Sequence, residues 1–263
     1  MKLRTPREIT DATLAIGQTK TGLSTSKTII QAIQAGAFIA LGGILSVMIG
    51  YGFPEINAGN PALQKLLSGL MFPVGLILTV CLGAELFTGN NALLMPGLIK
   101  RDFGWRDVVR NWVLVYFGNF IGAIAFAYIM VYCAGLTAAD PWHSAIKSMA
   151  QAKTSLGWGV VFVKGIGANW CVCLAVWLAL SGHTLLEKMA GCFVPVMAFV
   201  ILGYEHCIAN MFFIPLGMME GAEVDVATFV TANLIPATIG NIAGGGLFVG
   251  SLSAWLHLKK NKK

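Results

Sequence analysis

Apolar and polar positions fall in long blocks along this chain. Six apolar stretches, roughly 29–50, 66–96, 110–134, 156–180, 189–216 and 227–257, are separated by shorter polar segments. A helix rising 1.5 Å per residue needs about 20 residues to cross about 30 Å of hydrocarbon. The longer stretches exceed that, so they are expected to tilt or to break. The pattern predicts an all-α polytopic membrane protein with six transmembrane helices. A polar tail over 1–28 precedes a membrane domain over 29–257, and a basic tail over 258–263 follows it. The first 27 residues lack a short apolar core followed by a small-residue cleavage site, so they do not read as a signal peptide.

Two of the apolar stretches contain residues that hydrocarbon disfavours. The second carries GAELFTGNNALLMP (83–96) and the fifth carries GYEHCIANMFFIP (203–215). Both read Gly-x-Glu, then Asn five residues after the Glu (Glu85 and Asn90, Glu205 and Asn210), then an apolar run ending in Pro. The third and sixth stretches carry GNFIG (118–122) and GNIAG (240–244). The offsets are 120 and 122 residues, so residues 29–134 are expected to repeat as 156–257. Each half has three spans, an odd number, so the halves insert in opposite directions about an axis in the membrane plane. A charged side chain at the centre of an intact membrane helix costs about 2.5–3.5 kcal/mol on insertion scales. Helices 2 and 5 are therefore expected to be discontinuous, with unwound backbone lining a cavity and half-helix N-termini suited to an anion.

Composition agrees with the block pattern: 56% of the 263 residues are hydrophobic and 11% charged, against about 25% charged in soluble domains. The net charge of +6 is topological. Fourteen basic residues fall in the two tails and the second and fourth loops, and three (Lys65, Lys147, Lys153) on the opposite side. Positive-inside then places both termini in the cytoplasm of a multi-pass inner or plasma membrane protein, and nothing forms a nucleic-acid footprint. Cys171 and Cys173 lie two apart and point to different helix faces, and no cysteine or histidine spacing fits a metal site. No nucleophile–base set is present either, so an enzyme, a metal site and a cofactor are not expected.

Among the in-span polar residues, His206 is the only histidine, and an imidazole exchanges protons near neutrality. Glu85 and Glu205 read more simply as braces for the breaks. Lys164 is the lysine that hydropathy alone selects, either as a functional cation or as a snorkelling side chain. Asn169 either bonds across helices or lines a path.

ELFTGN, ANWCVCLAVW, GYEHCIANMFFIP and NLIPATIGNIAGGG together resemble the formate/nitrite transporter family, and the similarity runs through 28–257. The resemblance implies a homopentamer of aquaporin-like protomers, each with its own pore. It assigns the central pore histidine to His206, the mobile-loop threonine to Thr88, the pore asparagine to Asn169 and the vestibule lysine to Lys153 rather than Lys164. Asn210 joins these as a polar contact along the path. Apolar constrictions would be Phe72 and Phe199 toward the periplasm, and Leu76, Leu86 and Val172 toward the cytoplasm, with Phe87 beside Leu86. Cys207 and Ala168 stand where many members have Ser and Cys. The expected function is passage of a small monovalent anion, with protons, between aqueous compartments. Formate is favoured, nitrite or hydrosulfide are alternatives, and a neutral-solute pore is the rival from another class.

Overall fold

The computed structural model describes residues 2–258, which are helical with no strand among them. The basic tail at Lys259, Lys260, Lys262 and Lys263 lies outside the described residues. We name the principal helices α1 (Pro6–Gly22), α2 (Thr25–Gly50), α3 (Pro61–Leu82), α4 (Phe87–Leu93), α5 (Trp105–Tyr132), α6 (Trp142–Thr154), α7 (Trp158–Ser181), α8 (Leu185–Ile201), α9 (Cys207–Met219) and α10 (Val226–His257). Of these, α2, α3, α5, α7 and α10 are each long and apolar enough to cross a membrane. The fifth apolar stretch is divided between α8 and α9, which are 17 and 13 residues long. Large side chains such as Phe117, Leu178, Leu247 and Trp255 are exposed on the outer surface, a belt that has to meet lipid or another subunit. This is a multi-pass membrane architecture.

The two expected breaks are present and are built alike. Gly83 after α3 and Gly203 after α8 take left-handed backbone, with φ of 73° and 66°. A glycine has no Cβ to oppose that turn, which ends a helix. The turn bonds match as well: Ala84 N donates to Thr79 O at 3.0 Å, and Tyr204 N to Phe199 O at 3.1 Å. The chain then runs extended through Leu86 (φ −110°, ψ 122°) and His206 (φ −103°, ψ 115°) before α4 and α9 begin.

The Gly-Asn-x-x-Gly motifs mark where long helices touch. α2 packs along α5, and α7 along α10. A Cβ on Gly122 would fall against the Ile33 carbonyl, and one on Gly244 against that of Ile166. Backbone contact this close holds the asparagine one turn earlier, Asn119 or Asn241, against the neighbouring break.

The polar segment before α2 is largely helical. Thr5 and Glu8 form a reciprocal capping box, Pro6 occupies the first turn, and α1 runs to Gly22. Hydropathy placed the first half of the repeat at 29–134. The bonding described next gives α1 the position that α6 holds in the second half.

Candidate functional site

Each break carries the same hydrogen-bonded cluster. In the first, Glu85 Oε2 accepts from Asn90 Nδ2 at 2.7 Å and Asn111 Nδ2 at 3.3 Å, and Asn90 Nδ2 also donates to Asn111 Oδ1 at 2.9 Å. Lys20 Nζ, arriving on α1, donates to Glu85 Oε1 at 2.5 Å. In the second, Glu205 Oε2 accepts from Asn210 Nδ2 at 2.7 Å and Asn233 Nδ2 at 3.1 Å, and Asn210 Nδ2 donates to Asn233 Oδ1 at 2.7 Å. Lys153 Nζ, arriving on α6, donates to the two Glu205 carboxylate oxygens at 3.0 and 3.1 Å. Both carboxylates are buried, and a buried charge is tolerated only when it is paired and hydrogen-bonded.

A third pair of bonds pins the unwound backbone. Asn119 Nδ2 donates to Ala32 O (2.7 Å) and Glu85 O (2.8 Å), while its Oδ1 accepts from Phe87 N (2.9 Å). Asn241 Nδ2 donates to Gly165 O (2.8 Å) and Glu205 O (2.9 Å), while its Oδ1 accepts from Cys207 N (2.9 Å). The glutamate N–H groups bond to Gln31 O and Lys164 O. These backbone groups of the breaks are satisfied inside the protein, as membrane depth requires.

The halves differ where the clusters meet. Thr88 Oγ1 and His206 Nε2 are 2.9 Å apart, and His206 Nδ1 accepts from Ala209 N at 3.1 Å as the N-cap of α9. His206 is 2% exposed. One cavity of about 190 Å³ reaches His206 and is lined by Lys153, Asn210, Phe72, Phe199 and the exposed Lys65, among others. A second, of about 240 Å³, is lined by Lys20, Leu76, Leu86, Gly89 and Asn90, among others. The rings of Phe72 and Phe199 meet edge to face with centroids 5.5 Å apart, and Phe199 stacks on the His206 ring at 5.8 Å. Each of the two cavities is thus lined by one of the paired lysines together with apolar side chains, and His206 lines the first.

The family model for formate/nitrite transporters matches residues 7–255. The chain belongs to this family. Its members are transport channels, not enzymes. Among relatives, a protein of Methanothermobacter thermautotrophicus named "Probable formate transporter" is 38% identical over 272 residues, covering 98% of each chain. "Formate channel FocA" of Escherichia coli (strain K12) is 37% identical over 256 residues, covering 89% of this chain and 88% of its own. A solved structure titled "FNT family ion channel" superposes with a TM-score of 0.86 at 28% identity, covering 96% of this chain and 99% of that one. Another, "Pentameric formate channel with formate bound", gives 0.77 at 33% identity, covering 89% and 98%.

Within this formate/nitrite transporter fold, several residues take places that their sequence positions do not announce. Asn169 points its amide at Thr88 O (3.1 Å), Asn91 Oδ1 (3.1 Å) and Asn241 O (2.6 Å). Its two N–H hydrogens are engaged by these acceptors, so it ties the first turn of α4, where the resemblance implied a mobile loop at Thr88, to α7 and α10. Phe87 lines neither cavity: its ring packs on Tyr116 (4.9 Å) and Trp112 (6.1 Å) of α5. Val172 is buried and lines neither cavity as well. Lys164 contributes its carbonyl to the Glu205 backbone, and its half-buried side chain lines neither vestibule. Asn210 lines the cavity that holds Lys153, and its Oδ1 is buried without a protein partner. Lys20, Asn111, Asn119, Asn233 and Asn241 join the site although no single sequence position gives them a role. The signal for the last four was the 122-residue offset itself, which carries Asn111 onto Asn233 and Asn119 onto Asn241.

Proposed function

We propose that this protein conducts small monovalent anions across the membrane, formate before nitrite or hydrosulfide, as a homopentamer in which each protomer has its own pore. The observation that carries the reading is the Thr88–His206 pair between two vestibules that each end on apolar side chains. An apolar collar opposes a bare anion. A hydrogen bond or a proton at His206 lowers the anion's effective charge where water is stripped away. The names of the formate channels to which the chain is similar favour formate. By the positive-inside count, the Lys20 vestibule faces the cytoplasm and the Lys153 vestibule faces out, with α8 and α9 read as one broken sixth crossing. In each vestibule the lysine is paired with a carboxylate. It therefore acts through an oriented N–H donor more than through net field.

Uptake into proteoliposomes, with formate, nitrite and hydrosulfide competing across pH, tests the assignment. Formate uptake outcompeted by neither of the others is the expected result. Flux of an uncharged solute such as glycerol without anion flux would replace the reading with a neutral-solute pore. Lys153→Ala and Lys20→Ala are expected to raise the half-saturation concentration from opposite faces, by roughly tenfold for loss of one charged hydrogen bond. Unchanged values on both faces would remove the lysines from the path. Because each variant strands a buried glutamate, its thermal midpoint in detergent is measured alongside.

A further inference from the structure

The hydrogen bonds of His206 fix where its proton sits. Ala209 N is a backbone N–H and only donates, so Nδ1, 3.1 Å away, must present its lone pair. A neutral imidazole then carries its single proton on Nε2, which lies 2.9 Å from Thr88 Oγ1. With Nε2–H donating, the threonine oxygen accepts, and its own hydroxyl hydrogen has no protein acceptor among the described contacts. We infer that His206 rests as the neutral Nε2–H tautomer, held there by the first turn of α9, and that the imidazole gains a second proton only by releasing the cap of that helix.

This deepens the proposed anion passage and rests on it for its purpose. At rest the pair offers an anion a donor hydrogen, from Thr88 or from Nε2, with no formal charge. The second proton has only Nδ1 to join, where it would face the Ala209 N–H, donor against donor. Either the ring turns or the first turn of α9 opens. If the imidazolium then gives its Nε2 proton to a formate oxygen, the N–H bond breaks, an O–H bond forms, and the Nδ1–H tautomer is left. The cap returns only after that proton leaves Nδ1 and another joins Nε2. Each relayed proton therefore carries one opening and one closing of the helix start. The groups facing the ring are Thr88 of α4 and Phe199 of α8, and Lys153 of α6, ion-paired with Glu205, lines the same cavity. The two charges of that pair are already bonded to each other.

The test is solid-state NMR of the full-length protein, 15N-labelled at histidine and alanine, in liposomes. The His206 signals are assigned by their loss in His206→Asn, whose side-chain oxygen also caps a helix. At neutral pH a protonated Nε2 and an unprotonated Nδ1 coupled to the Ala209 amide are expected. On acidification, protonation of Nδ1 should coincide with faster hydrogen exchange at Ala209, after correction for intrinsic exchange. A neutral Nε2–H ring across the whole accessible range also supports the assignment, with the cap excluding the second proton. An Nδ1–H tautomer at neutral pH would overturn it. So would Nδ1 protonation that leaves Ala209 protected. Absence of formate flux in liposomes would instead sink the proposed function and leave the tautomer result standing.

Discussion

Replacing Asn241 by alanine is expected to unfold the second break. The asparagine satisfies Cys207 N–H and Glu205 C=O, both in unwound backbone, and ties them to the Gly165 carbonyl of α7. Gly165 O keeps a place in its own helix, but the other two groups are left without partners. Each buried orphan costs about 1–3 kcal/mol, so the loss is about 2–6 kcal/mol, a large share of a typical stability. The thermal midpoint in detergent and the yield of assembled protein both fall. A lipid-facing control, Leu247→Ala, removes no hydrogen bond and should stay near wild type. If Asn241→Ala matches that control, the asparagine is not the pin of the break. The mirror substitution Asn119→Ala is expected to behave in the same way, because its three bonds have the same chemistry.

The second large effect is functional. In the proposed passage, formate flux rises as pH falls, because a proton on the anion or on the imidazole lowers the charge crossing the collars. His206→Ala removes the donor at the collar and is expected to reduce flux and flatten that rise. Loss of one hydrogen bond to a charged group, about 1.5–3 kcal/mol, corresponds to roughly 10–100-fold in rate. The measurement is initial formate uptake into proteoliposomes from mildly acidic to mildly alkaline external pH. A variant with the wild-type pH profile would show that the imidazole plays no part in charge compensation. The substitution also uncaps α9 at Ala209. His206→Asn, which keeps a capping oxygen, separates that loss from the loss of the imidazole.

Much of this arrangement was legible in the sequence because it is written in strong signals. Long apolar blocks gave the membrane helices, and a charged residue beside glycine inside such a block forced a break. Gly83 and Gly203 supply the left-handed turn that a Gly-x-Glu repeat foreshadows. What was not legible depended on signals that hydropathy ignores. α1 is polar on average, so block reading left it as a tail, although Lys20 reaches Glu85 as Lys153 reaches Glu205. Lys164 sits deeper in an apolar run and attracted attention, while the lysine that meets the buried glutamate comes from the amphipathic α6. Asn169 and Phe87 sit close to the expected path residues in sequence, but side-chain direction turns one toward the start of α4 and the other toward α5. One-dimensional spacing places a residue on an element; it does not say which neighbour its side chain will satisfy.

The matched clusters also separate two kinds of position. In each half a Lys, a Glu and two asparagines bond to one another, while Asn119 or Asn241 pins the unwound backbone. The central pair has no such match: Leu86 stands opposite His206 and Ile208 opposite Thr88 across the repeat, although His206 also caps α9 at Ala209. In the proposed passage the central pair can therefore vary without touching the glutamate clusters, provided that position 206 keeps an acceptor for the Ala209 N–H. In that reading one pair of braced breaks can serve different anions, because the bonds that hold the glutamate clusters are not the bonds made by the central pair.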